Sequence, residues 1–296
     1  HAVFGKPAVP AQQVVVHVLH DPCFPENPVG FQQLLHTAPG SIQNAQQQHC
    51  RDAGTVLAVG TVPKHSPAFG RFQQLLKDFP AHTLHETIPN FHNTIDRYRL
   101  LRESMEADVC GRLKEVSAEV DFLMANEALA CTLQRMLDEK LLPLRVTHND
   151  TKLNNILFDE DTNEGICVID LDTIMPGSIC YDFGDSIRFG CKTGTEDEKD
   201  LSKVKFNIEL FEEYVKGYCS ALGESITKIE KDNLAFASIL ITYECGMRFL
   251  TDHLDGDVYF KIKRENHNLD RARTQFKLVL DMEKCYDKMV EIVNKY

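Results

Sequence analysis

No stretch of the 296-residue chain stays apolar for the roughly 18 residues that a membrane-spanning helix needs. The most apolar stretch, Leu234 to Ile241, is far shorter. The N-terminus, which begins at His1 rather than methionine, lacks the order of basic, apolar and small residues that marks a signal peptide. We therefore expect a soluble, cytoplasmic protein with no role in a membrane.

The cysteines lack the spacing of a zinc site. All ten are scattered between Cys23 and Cys285, with no C-x-x-C pair and no histidine at the distance that zinc ligands need. A disulfide framework is typical of short secreted domains, and this chain is neither short nor marked for secretion. We predict reduced, mostly buried thiols.

Positive charge is also scarce: 32 lysines and arginines face 44 aspartates and glutamates, which gives a formal net charge of -12. Such a chain repels phosphate backbones and anionic membranes unless it carries a local basic patch, and none of sufficient length occurs. We therefore predict no nucleic-acid partner. No repeat or low-complexity array supports a pure interaction module, and we infer no protein partner.

Residues 1–68 differ in composition from the rest of the chain. They hold eight of the twelve prolines, eight glutamines and six of the twelve histidines, but only three acidic and three basic residues. The whole net charge therefore lies in residues 69–296. Apart from candidate strands at 14–16 and 56–59, the first part shows little periodicity. We expect an atypical N-terminal segment, 1–68, and a folded unit, 69–296.

The folded unit begins with a helical stripe of Phe69, Phe72, Leu76 and Phe79, which ends before Pro80. Further elements are expected as three strands, at 144–147, 155–158 and 166–169, and five helical segments, at 92–105, 112–140, 207–221, 230–254 and 268–293. A turn-rich loop joins the last two strands into a hairpin. Helices, a small hairpin and more helices predict an α+β fold.

Polar residues cluster between the first two expected strands. His148, Asp150 and Asn155 have the spacing H-x-D-x-x-x-x-N, and Asp170 follows the next apolar strand. Phosphoryl transfer needs a carboxylate that accepts the proton of the attacking hydroxyl and metal ions that neutralise the phosphates. We predict Asp150 as the base, Asn155 and Asp170 as ligands of a Mg²⁺ ion on the ATP phosphates, and Lys152 as a positive charge on the transferred phosphoryl group. His148 is assigned a structural role that braces the loop.

The tetrapeptide Tyr181-Asp182-Phe183-Gly184 contains the letters of the protein-kinase D-F-G motif. Asp182, however, lies 32 residues after Asp150, whereas Asp170 stands directly at a strand end. We expect Asp182 and Asp185 to anchor the loop or to cap a helix that begins near Asp185. Asp172 either contacts metal or substrate or, as we slightly favour, hydrogen-bonds the loop.

These residues resemble the aminoglycoside phosphotransferase and choline kinase superfamily. Within it, the stretches LPLRVTHNDTKLNNILF, VIDLDTIMPGSICYDFGDSIRFG and ECGMRFLTDHLDGDVYFKI are similar to bacterial N-acetylhexosamine 1-kinases, and the likeness runs from about Ala68 to Tyr296. The resemblance implies a two-lobed protein-kinase-like fold, with Phe69 onward as the helical C-lobe. It also implies transfer of phosphate from ATP, with Mg²⁺, to the anomeric hydroxyl of N-acetylglucosamine or N-acetylgalactosamine.

The same resemblance implies a sugar pocket formed by Asp150, Arg248 and Tyr259. From the residues alone, Arg248 lies on a mostly apolar helix, where substrate hydroxyls or an ion pair with Glu244 or Asp252 would satisfy it about equally well. A core aromatic residue with a satisfied hydroxyl is the commoner role for a tyrosine. The resemblance favours substrate contacts for both.

Residues 1–68 contain no G-x-G-x-x-G, no P-loop and no strand lysine paired with a helix glutamate. His1 to Pro7 is similar to the segment after the third N-lobe strand of these kinases, so we expect the phosphate-covering hairpin to lie upstream of residue 1. Residues from about 9 to 67 resemble nothing expected there, and either an out-of-frame translation or an unusual insertion explains them. The N-lobe is thus expected to be incomplete.

Two classes of function follow. The first is an enzyme, either the sugar 1-kinase or a related kinase of choline, methylthioribose or an aminoglycoside. An acidic chain favours a cationic acceptor, but Arg248 is a poor neighbour for a cation. The second is a non-catalytic fragment of such a kinase, which folds and binds sugar weakly without holding ATP.

Overall fold

The computed structural model describes residues 62–159, 161, 162 and 164–296. The candidate strands at 14–16 and 56–59, the expected incomplete N-lobe and nearly all of the proposed segment 1–68 lie outside the described residues. The first described helix begins at Val62, upstream of the proposed boundary at residue 69, and that boundary stays a prediction.

Eleven α-helices and four short strands make up the described part of the chain. The helices are α1 (Val62–Leu75), α2 (Thr94–Ala107), α3 (Ser117–Ala125), α4 (Glu127–Ala130), α5 (Thr132–Asp138), α6 (Ile179–Gly190), α7 (Ile208–Leu222), α8 (Lys228–Asp232), α9 (Leu234–Leu254), α10 (His267–Lys284) and α11 (Tyr286–Lys295). The strands are β1 (Arg145–Thr147), β2 (Ile156–Phe158), β3 (Gly165–Val168) and β4 (Met175–Gly177). The expected α+β fold is confirmed.

The strands form two antiparallel pairs. The hairpin of β2 and β3 was expected, and its register shifts between Leu157 and Phe158. The pairing of β1 with β4 was not expected, because β4 is three residues long and contains Pro176. A proline interrupts the apolar alternation by which a strand is recognised in a sequence.

Several expectations about helices are wrong. The segments 230–254 and 268–293 are each two helices, with α8 and α9 divided at Asn233 and α10 and α11 divided at Cys285. The segment 112–140 is not one helix: a 3-10 turn at Leu113–Val116 precedes α3, and α4 and α5 follow with breaks at Asn126 and Cys131. The helix expected near Asp185 begins at Ile179, and its N-cap is Ser178, whose hydroxyl accepts a hydrogen bond from the Cys180 amide. Asp182 and Asp185 are therefore interior helix residues and not caps.

The core lies where α9 packs between α6 and α10, and α1 packs along α7. Gly184 allows the first of these contacts, because a β-carbon at this position would lie 2.4 Å from the carbonyl oxygen of Ala237 on α9. Among the described residues, α9 is the one helix long and apolar enough to cross a membrane by length and composition, and 78% of its apolar window is buried in this core.

Candidate active site

The loop between β1 and β2 carries the predicted catalytic residues, and Asp182 on α6 holds its start. The carboxylate of Asp182 accepts hydrogen bonds from the backbone amides of His148 (2.9 Å) and Asn149 (2.8 Å) and from the side chain of Gln73 (2.7 Å). Burial raises the pKa of Asp182 despite these donors. The alternative in which Asp182 anchors the loop therefore agrees with the structure.

Asp185, one helical turn further along α6, holds the next part of the loop. Its Oδ2 accepts a hydrogen bond from the backbone amide of Thr151 (2.9 Å), and its Oδ1 accepts two from Arg188 (3.0 and 2.7 Å). Burial opposes ionisation of Asp185, but the charges of Arg188 and Lys152 outweigh it and lower the pKa of this carboxyl. Asp182 and Asp185 thus position the loop on both sides of Asp150.

Asp150, the predicted base, contacts two other predicted residues. Its Oδ1 lies 2.6 Å from Nζ of Lys152, and its Oδ2 accepts a hydrogen bond of 3.0 Å from the amide nitrogen of Asn155. Burial disfavours the charged form of Lys152, but the attraction of Asp150 outweighs it and raises the pKa of the ammonium group. In this arrangement Lys152 is cationic and stands beside one carboxylate oxygen of Asp150.

His148 braces the loop, as its predicted structural role requires. Its Nε2 lies 2.9 Å from the carbonyl oxygen of Ile169, which only accepts hydrogen bonds, so Nε2 carries the proton. Nδ1 then accepts from the backbone amide of Asp150 at 3.3 Å. The amide of Ile169 in turn donates to the carbonyl oxygen of Asn155 (2.9 Å), so the end of β3 is fixed to the catalytic loop.

Asp170 follows Ile169 with an exposed side chain and a left-handed backbone conformation, φ 62°. This conformation is uncommon for a residue other than glycine, although aspartate tolerates it better than most. Among the described residues Asp170 has no hydrogen-bond or ion-pair partner. Asp172 is also exposed, and its carbonyl oxygen accepts from Thr87 while its carboxylate has no partner in the described part.

Asn155 and Asp170 fit a magnesium site by the chemistry of their donors. The amide nitrogen of Asn155 is engaged with Asp150, which leaves its side-chain oxygen without a partner among the described residues. Asp170 adds an unpaired carboxylate. Mg²⁺ is usually held by one or two protein oxygens and completed by water and substrate phosphates. This assignment stays a prediction.

A cavity of about 400 Å³ opens beside Asp150. Among its lining residues are the predicted Asp150, Lys152, Arg248 and Tyr259, together with five cavity residues that had no assigned role in the sequence, namely Phe91, His92, Arg188, Phe260 and Arg271. Asn155 and Asp170 are not among the lining residues. The structure thus brings the base and the predicted acceptor-binding residues to one cavity and leaves the predicted metal ligands outside it.

Arg248 lies between two aromatic rings of this cavity. Its guanidinium stacks 4.7 Å from the ring centroid of Phe91 and 5.6 Å from that of Phe260. Its nearest carboxylate oxygen, Oε1 of Glu244, lies 3.8 Å away, beyond hydrogen-bonding distance. The structure therefore shows a loose ion pair with Glu244, and no hydrogen bond from Arg248 within the described residues.

Tyr259 lies at the rim of the cavity and is 64% exposed. Its position depends on the backbone: the amides of Tyr259 and Phe260 donate to the two carboxylate oxygens of Asp252, at 2.7 and 3.0 Å. Asp252 is therefore engaged with this loop and not with Arg248. Tyr259 is not the buried core aromatic that its residue type favoured.

A second cavity, of about 420 Å³, lies beyond Phe91, His92 and Asn149, which line both. Of the described residues that line it, none is a lysine or arginine, and Asp150 is not among them. A phosphorylated ligand needs positive charge or oriented donors. The first cavity is therefore the candidate site of phosphoryl transfer.

Fold and site together define a kinase-like phosphotransferase that acts on a small molecule. A family model described as the phosphotransferase enzyme family matches residues 32–226, more than half of the chain. The protein belongs to this family and is a phosphotransferase with an alcohol group as acceptor. Kinases of this family generally use ATP with Mg²⁺.

Two solved structures are similar to this chain in fold. A choline kinase from Cryptosporidium parvum Iowa II is 17% identical with a TM-score of 0.50, and the match covers 82% of this chain and 72% of that one. An ethanolamine kinase from Plasmodium vivax is 16% identical with a TM-score of 0.50, and the match covers 75% of this chain and 63% of that one. At these identities the likeness shows the protein-kinase-like fold, which confirms the expected fold class, and not the acceptor.

Proposed function

We propose that the protein transfers the terminal phosphoryl group of ATP to the anomeric hydroxyl of an N-acetylhexosamine. Asp150 accepts the proton of that hydroxyl, and the hydroxyl oxygen forms a bond to the terminal phosphorus of ATP. In the same step the bond between this phosphorus and the oxygen that leaves with ADP breaks. The products are a sugar 1-phosphate and ADP. Asn155 and Asp170 would hold Mg²⁺, which neutralises charge on the phosphates, and Lys152 would face the transferred group. The proposed location is the cytoplasm.

The observation that carries this proposal is Arg248. A guanidinium offers five N–H donors in a fixed plane, and here none of them is used within the described residues. Its side chain is 15% exposed, so water replaces those hydrogen bonds only in part. An acceptor with several hydroxyl or carbonyl oxygens supplies the partners that the protein does not.

The cavity is ill suited to a cation such as choline. A quaternary ammonium group binds best against open aromatic faces. Arg248 covers Phe91 and Phe260, and Arg271 lies 5.4 Å from the ring centroid of Phe249, so three of the four Phe and Tyr rings that line the cavity already have a cation beside them. Only Tyr259 at the rim is left.

Three of the four carboxylates that line the cavity are engaged as well. Asp150 pairs with Lys152, and Asp185 and Glu196 pair with Arg188 at 2.7 and 3.2 Å. A cationic acceptor at any of these three would have to displace an arginine or lysine that is already in place, and at the fourth, Glu244, it would lie beside Arg97 and Arg248. Repulsion of the wrong substrate is as effective for specificity as attraction of the right one.

The test offers ATP and Mg²⁺ with one acceptor at a time: N-acetylglucosamine, N-acetylgalactosamine, choline, ethanolamine, methylthioribose and kanamycin. Phosphorus NMR identifies the product, and calorimetry measures acceptor binding without turnover. We expect a 1-phosphate of one or both N-acetylhexosamines. Phosphorylation of choline or ethanolamine instead would overturn the proposal. Sugar binding with no ATP binding would identify a non-catalytic fragment.

Arg248→Lys gives a sharper version of the same test. Lysine keeps the positive charge but lacks the planar guanidinium and its several N–H donors. We therefore expect sugar KM to rise at least about tenfold. Arg273→Lys is the matched control, because Arg273 lies on α10, pairs with Glu119 at 2.6 Å and is not among the cavity residues. Equal sugar KM values for the two variants would remove Arg248 from acceptor binding.

A further inference from the structure

Glu244 on α9 is a buried carboxylate that is only half satisfied. Its side chain is 1% exposed and lines the cavity beside Asp150. Oε2 accepts a hydrogen bond of 2.6 Å from Nδ1 of His92. Oε1 has no hydrogen-bond partner among the residues that the structure describes. Buried carboxylate oxygens are nearly always hydrogen-bonded, so this oxygen calls for an explanation.

Two arginines flank Oε1 without bonding to it. Nε of Arg97 and Nη1 of Arg248 each lie 3.8 Å away. Arg97 is committed elsewhere, since its Nε and Nη2 donate to the carbonyl oxygen of Phe91 at 3.2 and 2.5 Å. Arg248 is held between the rings of Phe91 and Phe260. The arrangement keeps both charges near Oε1 and leaves its lone pairs unused.

We propose that Oε1 of Glu244 accepts a hydrogen bond from one hydroxyl of the acceptor, while Arg248 donates to a neighbouring acceptor oxygen. A hydroxyl both donates and accepts, so an adjacent carboxylate and guanidinium recognise a pair of neighbouring hydroxyl oxygens. Glu244 is thereby a specificity-determining residue. The proposal rests on the proposed function, because it needs a polyhydroxylated acceptor.

The arrangement predicts strong discrimination against acceptors that lack the recognised hydroxyl. Such an acceptor would occupy the cavity and leave Oε1 buried and unpaired, as it is without ligand. Sites built to hydrogen-bond a hydroxyl reject the analogue without it far better than apolar pockets reject a missing methylene. Hydrogen bonds to charged groups are also the stronger kind.

The test compares the preferred N-acetylhexosamine with its 3-deoxy, 4-deoxy and 6-deoxy analogues, in the unchanged protein and in Glu244→Gln. For one analogue we expect kcat/KM of the unchanged protein to fall roughly 10- to 100-fold. In Glu244→Gln the same analogue should lose several-fold less relative to the parent sugar than it does in the unchanged protein, because the neutral amide replaces a charge-assisted hydrogen bond with a weaker one. The loss on mutation should appear in sugar KM, with ATP KM unaltered.

Glu196→Gln is the matched control. Glu196 lines the same cavity, but its oxygens lie 3.2 Å from Arg188 and 3.7 Å from Arg271, so it has partners of its own. In Glu196→Gln, kcat/KM for the deoxy analogue should fall by the same factor as in the unchanged protein. If Glu244→Gln does not fold, Glu244→Asp is the second variant, because it retracts the carboxylate by one methylene. In Glu244→Asp the difference in kcat/KM between the deoxy analogue and the parent sugar should likewise become smaller.

Two failures are distinguishable. If the unchanged protein phosphorylates no N-acetylhexosamine, the proposed function fails, and the inference about Glu244 with it. If it phosphorylates one but no deoxy analogue has a lower kcat/KM, only the role of Glu244 is overturned. The same holds if the loss of kcat/KM is as large in Glu244→Gln as in the unchanged protein. In that case Glu244 is a structural partner of His92 and the arginines.

Discussion

The carboxylates of Asp182 and Asp185 on α6 and that of Glu244 on α9 are buried to a similar degree but are satisfied very differently. Asp182 receives three hydrogen bonds, and Asp185 is bonded to Thr151 and Arg188. Glu244 has one bonded oxygen and one that has no hydrogen-bond partner in the described part of the chain. Both sets lie within the same core, so burial alone does not tell their roles apart.

The difference separates positioning from recognition. A buried group whose donors and acceptors are all used holds a fixed geometry, and a polar network of this kind stiffens the elements that it joins. That describes Asp182 and Asp185 beneath the catalytic loop. A group with unused hydrogen-bonding capacity is free to bond a ligand. Among the described residues, the buried Glu244 and the partly buried Arg248 are in this state at the cavity beside Asp150.

Asp170 extends the comparison, because it is an exposed carboxylate with no protein partner in the described part of the chain. We expect Asp170→Ala to lower Mg²⁺-dependent turnover at least about a thousandfold, since it removes charge from the metal and not from the core. The free energy of unfolding should fall by no more than about 1–2 kcal/mol, because alanine tolerates the left-handed backbone of this position less well than aspartate does. Activity titrated against Mg²⁺, with urea unfolding as the control, checks both values. A large loss of stability would place Asp170 with the positioning residues instead.

Asp150 is the group that the positioning residues serve. Asp150→Asn should lower kcat by roughly 10²- to 10⁴-fold, the usual contribution of a general base, with little change in sugar affinity. Steady-state kinetics and calorimetric sugar titration measure the two effects separately. Near-normal turnover would show that the loop positions Asp150 for some purpose other than proton transfer.

Asp182 tests whether full satisfaction means a structural role. Asp182→Ala leaves the amides of His148 and Asn149 and the side chain of Gln73 without their acceptor, so we expect the free energy of unfolding to fall by about 3 kcal/mol. The residual activity should keep its dependence on Mg²⁺. Asp172→Ala is the control, because that carboxylate is exposed and without a partner in the described residues. Urea unfolding of both variants measures the difference in stability. Equal free energies of unfolding would contradict a structural role for Asp182.

Much of the loop was predictable from the sequence. The H-x-D-x-x-x-x-N spacing placed Asp150 and Asn155 together, and the strand before Asp170 was expected within one residue of its position. Such local patterns can be recognised in a sequence because the loop and its flanking strands are close together along the chain. The role of Asp182 was foreseen as one of two alternatives, and the structure agrees with the loop anchor.

The acceptor cavity was less predictable, because its residues come from distant segments. His92 and Glu244 are 152 positions apart, and neither has a local motif. The stacking of Arg248 on Phe91 and Phe260 likewise depends on how α9 and the segment before α2 pack. Strand β4 was missed for a related reason, since its pairing with β1 supplies the stability that its own sequence does not.

The smallest predicted effect is a difference in pH dependence between the buried carboxylates of Glu244 and Asp182. Burial alone would raise the pKa of Glu244, but His92, Arg248 and Arg97 outweigh it and lower the pKa below the ordinary value of 4.5. A lowered pKa in the folded state gives stability that is present above about pH 4.5 and is lost as the pH falls through the folded pKa. Asp182 has the opposite sign, because burial raises its pKa above the ordinary 3.8. The ionised form then costs stability, and the folded state regains it as the pH falls through the raised pKa.

The gap in unfolding free energy between the unchanged protein and Glu244→Gln should therefore narrow between about pH 6 and pH 3, while the gap to Asp182→Asn widens. Urea unfolding at half-unit pH steps over that range measures both gaps, and Asp172→Asn supplies a reference in which the gap stays nearly constant. Parallel curves for Glu244→Gln and the unchanged protein would mean that His92 and the arginines do not stabilise the Glu244 carboxylate in the free protein. The contrast between a fully bonded carboxylate and one that is bonded at a single oxygen and flanked by cations would then lose its electrostatic basis.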